Sequence, residues 1–277
     1  MNLKSKIHKT NFYIGDGLKS RTETYTKKTF DSIIPEYYPD FTDINEFYKQ
    51  FMKSSESIFI LSGESGTGKS KFFSYMLKHL IDNPDLLKIT ENNEDDFLDE
   101  EKNIKVAYVK DKNILCVDQF WITLNEQSFD IVILDDLDNY LAPRGEDSNE
   151  KSSKFISQLI SYTDGIVKNK TKFLISTNKE ISSIDSAILR DGRLFGIFSF
   201  SRLSYDEAKT IWIKEGLNSK LFSEEFEGDR AILQSRLGSI IEKLKSNNGA
   251  MPISFIKEGS IMDIAKKYQE KKRGLRA

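Results

Sequence analysis

The sequence predicts an α/β fold followed by a small helical region. Three observations carry this expectation. Short apolar runs alternate with amphipathic stretches up to about residue 200, the order that builds a parallel sheet with helices on its faces. One of those runs passes straight into a glycine-rich loop and then a helix. Beyond residue 203 the helical period continues alone. The division expected from these changes is a basic N-terminal arm at 1–28, an α/β domain at 29–202 and a helical region at 203–277, a length that suits one large or two modest domains.

Residues 1–29 show no long periodicity. Asn11-Phe12-Tyr13-Ile14 and Thr22-Glu23-Thr24-Tyr25-Thr26 flank Gly15-Asp16-Gly17, which suits a small hairpin or an arm. Thr29-Phe30-Asp31-Ser32-Ile33-Ile34 then precedes Pro35. Thr42 or Asp43 is placed to cap a helix running to about Met52, with Phe47, Tyr48 and Phe51 inward. Ser57-Ile58-Phe59-Ile60-Leu61 reads as a short buried strand. Residues 71–81 read as a helix with Phe72, Phe73, Met76, Leu77 and Leu80 on or near one face, ending near Asn83-Pro84. An acidic connection follows at 84–103. Val106-Ala107-Tyr108-Val109 and Ile114-Leu115-Cys116-Val117 are strand candidates, and Phe120-Trp121-Ile122-Thr123-Leu124 is helical. Phe129-Asp130-Ile131-Val132-Ile133-Leu134 is apolar enough for a parallel strand buried on both faces. Residues 150–164 form a helix with Phe155, Ile156, Leu159 and Ile160 inward, stopped by Gly165. Lys172-Phe173-Leu174-Ile175-Ser176 and Gly196-Ile197-Phe198-Ser199-Phe200 complete the strands. Ser204-Tyr205-Asp206-Glu207 has the form of a capping box, its helix continues through Ala208, Ile211 and Trp212, and residues 231–245 and 253–272 are further helices.

Composition narrows the function classes. Hydrophobic residues at 38% and charged residues at 30% fit a soluble globular chain. No run approaches the ~18 apolar residues of a membrane span, and the N-terminus lacks the apolar core of a signal peptide, so no membrane partner and a cytoplasmic setting are expected. The lone Cys116 excludes an intrachain disulfide and suits a reducing compartment. With His8 and His79 it cannot complete a zinc site. A net charge of −2 argues against a chain-wide polyanion binder. The charge is uneven: both ends are basic, with Lys4, Lys6, Lys9, Lys19, Arg21, Lys27 and Lys28 in one and Lys266, Lys267, Lys271, Lys272, Arg273 and Arg276 in the other, while 91–101 is acidic. Solvated ends and loops are the plain reading, and nucleic-acid contacts through the basic segments the sharper one.

The chemistry centres on Gly63-Glu64-Ser65-Gly66-Thr67-Gly68-Lys69-Ser70, which fits G-x-x-x-x-G-K-[ST] at every fixed position. A strand precedes it and a helix follows, the setting in which the glycines turn backbone N–H groups toward phosphate oxygens and the helix N-terminus adds partial positive charge. Lys69 is expected on the β- and γ-phosphates of ATP and the Ser70 hydroxyl on Mg²⁺. Asp135 and Asp136 end the apolar strand 129–134. A phosphate loop plus a strand ending in acids is the arrangement of a P-loop NTPase, with Asp135 holding Mg²⁺ and Asp136 polarising the attacking water. Asp138 falls outside the site in this reading. Ser176-Thr177-Asn178 lies at the C-terminal end of a strand, where parallel sheets gather ligands; Asn178 either orients the water there or is a turn residue.

Downstream, Thr177-Asn178, Asp185, Ala187, Ile188, Arg190, Gly192 and Arg193 fall into a pattern that resembles the second region of homology of the AAA clade of AAA+ ATPases. Leu137-Asp138-Asn139-Tyr140-Leu141-Ala142-Pro143-Arg144 is similar to the segment after that family's acidic strand, and Thr163-Asp164-Gly165 to its Met-Asp-Gly. Phe30-Asp31-Ser32-Ile33 is similar to the Phe-Asp-Asp-Ile that opens the domain and places Ser32 and Ile33 near the adenine. The resemblance implies a five-stranded parallel sheet between helices with a helical lid, and rings, usually hexamers, with ATP at the subunit interfaces. Asn178 would be sensor 1, and Arg190 and Arg193 arginine fingers acting on a neighbour's γ-phosphate, against the plainer reading of surface ion pairs. Three departures stand out. Asp136 replaces the usual Glu, Gly249-Ala250-Met251-Pro252-Ile253-Ser254 carries no arginine, and Phe120-Trp121 lacks the glycine of a pore loop, leaving that pair as core or as a substrate paddle. The leading expectation is a ring-forming ATPase that remodels a protein substrate. The alternatives are a nucleic-acid-linked ATPase, of the helicase- or clamp-loader type, and a slow ATP-gated scaffold.

Overall fold

A computed structural model describes residues 6–15, 17–26, 35–39, 41, 43–83, 86, 103–144, 150–164 and 170–246. The chain divides into two compact units, one ending at Arg202 and one beginning at Leu203. The expected contacts of Ser32 and Ile33, the acidic run 91–101, the Gly165 stop, the segment 249–254, the helix at 253–272 and the basic tail lie outside the described residues.

The first unit holds strands β1 (Lys6–Gly15), β2 (Gly17–Tyr25), β3 (Ile58–Gly63), β4 (Asn103–Val109), β5 (Ile131–Leu134), β6 (Lys172–Thr177) and β7 (Leu194–Phe200). Its helices are α1 (Ile44–Lys53), α2 (Lys69–Asp82), α3 (Asp118–Gln127) and α4 (Glu150–Thr163). Among the described residues the sheet has seven strands in the order β2-β1-β4-β5-β6-β3-β7. The expected five parallel strands form one block, β4-β5-β6-β3-β7, and β1 extends it in parallel beside β4. Only the β1–β2 hairpin is antiparallel. The segment expected as a basic arm or small hairpin is therefore part of the sheet. Phe12 secures it: the side chain is 1% exposed and meets Phe120 and Phe129 edge-on at 5.3 and 5.8 Å. Burying one such ring contributes about 2–3 kcal/mol.

β3, β5 and β6 are buried along their length apart from the half-buried Gly63, as the continuous apolar runs require of a sheet covered on both faces. β6 lies between β5 and β3, with Leu134 opposite Ile175 and Ser62 opposite Thr177. The residues that follow these strand ends therefore converge on one edge. One reading is corrected here, and one pair of alternatives is decided. Residues 114–117 are not a strand, because Asp111 caps a 3-10 turn over Lys112–Cys116 through the Asn113 N–H, so local turn chemistry prevails. Phe120 and Trp121 are core, at 0% and 6% exposure, with Trp121 Nε1 donating to the Leu115 carbonyl at 3.0 Å. The paddle reading fails because α3 turns both rings inward.

The second unit comprises β8 (Leu203–Ser204), α5 (Tyr205–Lys214), α6 (Ser219–Glu225), β9 (Ala231–Ile232) and α7 (Gln234–Ser246). The capping box at Ser204 and Glu207 opens α5. Trp212, Phe222 and Phe226 are fully buried and form its aromatic centre. The unit is not wholly helical: Ala231–Ile232 pair antiparallel with Leu203–Ser204, so the helix expected from residue 231 begins at Gln234.

Candidate functional site

β3 delivers the glycine loop to the converging strand ends. Gly63 has φ +143° and lies opposite Phe200 of β7; a Cβ there would stand 2.4 Å from the Phe200 carbonyl oxygen. Only glycine fits that approach. Gly66 and Gly68 also take positive φ. Gly68 is the N-cap of α2 and has no side chain to satisfy the free N–H groups of the first turn, which leaves them for an anion. Thr67 is buried and braces the loop by donating from Oγ1 to the Glu64 carbonyl at 2.7 Å. Lys69, 6% exposed, folds over the loop and donates to the carbonyls of Gly63 at 2.6 Å and Glu64 at 2.8 Å and to Asn178 Oδ1 at 2.8 Å. Burial pushes the Lys69 ammonium below its ordinary range, and Asp136, Asp138, Asp135 and Glu64 oppose that shift.

Asp135 leaves β5 with Oδ1 accepting from Ser70 Oγ at 3.0 Å and from Ser176 Oγ. A hydroxyl and a carboxylate in contact form an oxygen pair suited to Mg²⁺, which takes few protein ligands and completes its shell with water and phosphate. Asp136 is exposed and has a left-handed backbone, φ +64°, a conformation a short acidic side chain tolerates better than most. Its N–H donates to Ser176 Oγ at 2.8 Å, and its carbonyl accepts from Lys112 Nζ at 2.7 Å. These two bonds hold Asp136 in the strained turn and aim its carboxylate at Asn178.

Asn178 joins the parts. Its Nδ2 donates to Asp136 Oδ1 at 3.0 Å and to Asp138 Oδ2 at 2.8 Å, while Oδ1 faces the Lys69 ammonium. Lysine only donates and carboxylates only accept, so one amide orientation is possible. Asp138 fixes it: Oδ1 accepts from the Asn178 N–H at 2.6 Å and from Thr177 Oγ1 at 2.7 Å. Burial alone would raise the Asp138 carboxyl, but the bonds from Asn178 and Thr177 and the Lys69 charge prevail and hold it below the usual carboxylate range. Placing Asp138 outside the site is therefore a correction, because it lies one side chain from Lys69. Asp138 stands in the segment that resembles the one after the family's acidic strand, and that resemblance is the sign of it in the sequence. Ser176 belongs to the strand-end triplet singled out in the sequence, whereas nothing in the sequence marks Lys112.

Lys69, Ser70, Asp135, Asp136 and Asn178 meet in one network. Arg190 and Arg193 do not join it. Arg193 Nε donates to Asp164 Oδ1 and Oδ2 at 2.8 and 2.9 Å, and Nη1 to the Ala187 carbonyl at 2.6 Å. Its side chain is 14% exposed. Arg190 is exposed and shows no side-chain bond among the described residues.

This geometry can be set beside known proteins. The profile of the ATPase family associated with various cellular activities (AAA) matches residues 59–202, from β3 to the end of the first unit. The chain belongs to the AAA family. AAA membership implies nucleotide binding by that unit. Among curated relatives, a proteasome-associated ATPase of Rhodococcus erythropolis (strain PR4) is 28% identical over 163 residues, covering 50% of this chain and 28% of the relative. One from Frankia alni is 29% identical over 120 residues, covering 41% and 20%. A putative cell division cycle ATPase of Plasmodium falciparum is 32% identical over 63 residues, covering 23% and 5%. The AAA chain thus matches less than a third of the length of each of these relatives. No described helix is long and apolar enough to cross a membrane.

Proposed function

We propose that this chain binds ATP with Mg²⁺, hydrolyses it at a site completed by a second copy in a ring, usually a hexamer in this family, and uses turnover to remodel a protein substrate in the cytoplasm. One observation carries the reading: the Lys69 ammonium stands over a glycine loop whose helix cap offers no side chain, and Asn178 couples it to Asp136. Bound ATP supplies a reactive phosphoanhydride. The loop N–H groups and Lys69 hold its terminal phosphates, and Ser70 and Asp135 hold the metal. Asp136 accepts a proton from, or polarises, the attacking water, with Asn178 setting its direction. In this reading residues 203–277 act as the family's small lid domain.

Of the two arginines, Arg190 is the finger for a neighbouring subunit, because its guanidinium is exposed and unengaged. Arg193 holds the turn through Asp164 and Ala187. A protein substrate is favoured because two matched relatives are named proteasome-associated ATPases. Of the N-terminal charges behind the nucleic-acid alternative, Lys9 is half-buried and engaged, its ammonium 4.2 Å from the Tyr108 ring centroid. Mixing subunits tests the proposal. Lys69→Ala should abolish ATP binding, and Arg190→Ala should bind yet hydrolyse about 10³-fold more slowly. Mixed, the two should recover turnover, because one interface then carries both native residues. Specific activity should also rise with protein concentration. Turnover independent of concentration, with no recovery on mixing, refutes the shared site.

A further inference from the structure

The phosphate loop carries a charge of the wrong sign for a polyanion. Glu64, its second residue, places a carboxylate beside the cradle. The structure pairs it with Arg202, 138 residues on: Arg202 Nε donates to Glu64 Oε2 at 2.8 Å and Nη2 to Oε1 at 2.7 Å, a two-bond fork. Both side chains are about half exposed, so the pair adds little to stability. Its position is nevertheless set by the sheet. Gly63 and Phe200 are the last partners of the β3–β7 ladder, with the Gly63 backbone against the Phe200 carbonyl. Glu64 and Arg202 are the next long side chains beyond that closure, so the packing that demands glycine at 63 also brings them together.

We propose that Arg202 is a positioning residue that cancels the Glu64 charge and thereby makes this phosphate loop accept a triphosphate. The inference rests on the nucleotide site proposed above. Lys69 bonds the Glu64 carbonyl, and the Glu64 carboxylate and the Lys69 ammonium feel each other's charge, so freeing that carboxylate sets a negative charge against the group that holds the phosphates. Repulsion between the carboxylate and the ligand scales with ligand charge and weakens as salt screens it. Hydrogen bonding from Arg202 also draws the Glu64 carboxyl below its usual range.

Binding of fluorescent ATPγS and of fluorescent ADP to the full chain, at about 50 and 300 mM salt, tests this. Arg202→Ala is expected to weaken ATPγS about tenfold at low salt, ADP less, and both defects should shrink at high salt. Glu64→Gln in the Arg202→Ala background should recover most of the loss, because no charge then remains to be cancelled. Loss of a purely structural contact would be insensitive to salt and would not be repaired by a second substitution. An Arg202→Ala chain that binds as the wild type does, or a double variant as weak as Arg202→Ala, overturns the proposal. Lys69→Ala serves as the control: if wild type and Lys69→Ala both fail to bind ATPγS, the nucleotide site itself is wrong, and the charge-cancelling role falls with it.

Discussion

Asp138→Asn is the sharpest probe of the site, because it keeps shape and changes one atom. In the native chain the two oxygens of Asp138 accept three bonds, from Thr177 Oγ1, the Asn178 N–H and Asn178 Nδ2. The least costly asparagine rotamer keeps its oxygen on the first two and turns an NH₂ toward Asn178 Nδ2, donor against donor. If Asn178 flips to relieve that clash, its own NH₂ then faces the Lys69 ammonium, which also only donates. Either way one charge-assisted bond is lost, worth about 1.5–3 kcal/mol. Solvent reaches this half-buried acid, so the loss is discounted to about 1–2 kcal/mol. Placed on the transition state, that is a fall in kcat of about 5–30-fold. Steady-state ATP turnover measures it, with a thermal melt to confirm folding. A kcat within twofold of the wild type would show that Asn178 does not depend on Asp138 for its orientation. The pH dependence gives a second readout. The Asp138 carboxyl is held below its ordinary value in the folded chain. Its contribution is therefore complete above the unfolded value near ~4 and is lost as pH falls through the lower folded value. The asparagine variant should lack that part of the acid-side loss of stability.

Two further outcomes follow from the same geometry. Asp136→Asn retains an oxygen for the bond from Asn178 Nδ2 and removes the charge, so ATP binding should persist while turnover drops by about 10²-fold or more; turnover at the native rate would assign the water to another group and leave the slow-scaffold alternative without its basis in Asp136. Gly63→Ala places a Cβ 2.4 Å from the Phe200 carbonyl oxygen at φ +143°, which forces β3 and β7 apart and should cost about 2–4 kcal/mol. Calorimetry should then show the melting temperature lowered by roughly 5–15 °C, and an unchanged midpoint would mean the loop has room to yield.

What could be read along the chain was whatever neighbouring residues decide together. The phosphate loop is one such feature: its glycines, Lys69 and Ser70 are contiguous, and a strand and helix flank them whatever lies elsewhere. The apolar run ending in Asp135 and Asp136 and the capping box at Ser204 are others, since burial on two faces and a side chain returning to its own helix leave a local pattern. Tertiary packing decided the rest. The N-terminal hairpin joins the sheet because Phe12 fills a space between Phe120 and Phe129, which lie over 100 positions away. Residues 114–117 are a local exception: they have the composition of a strand, but the Asp111 side chain caps a turn through the Asn113 N–H. Arg190 and Arg193 look equivalent in a motif and differ in the fold, because Asp164 at the end of α4 reaches only one of them. Asp138 and Arg202 meet their partners through strand order: β6 between β5 and β3 brings Asn178 to Asp138, and β7 beside β3 brings Arg202 to Glu64. Strand neighbours are chosen by long-range burial, which periodicity within a segment does not record.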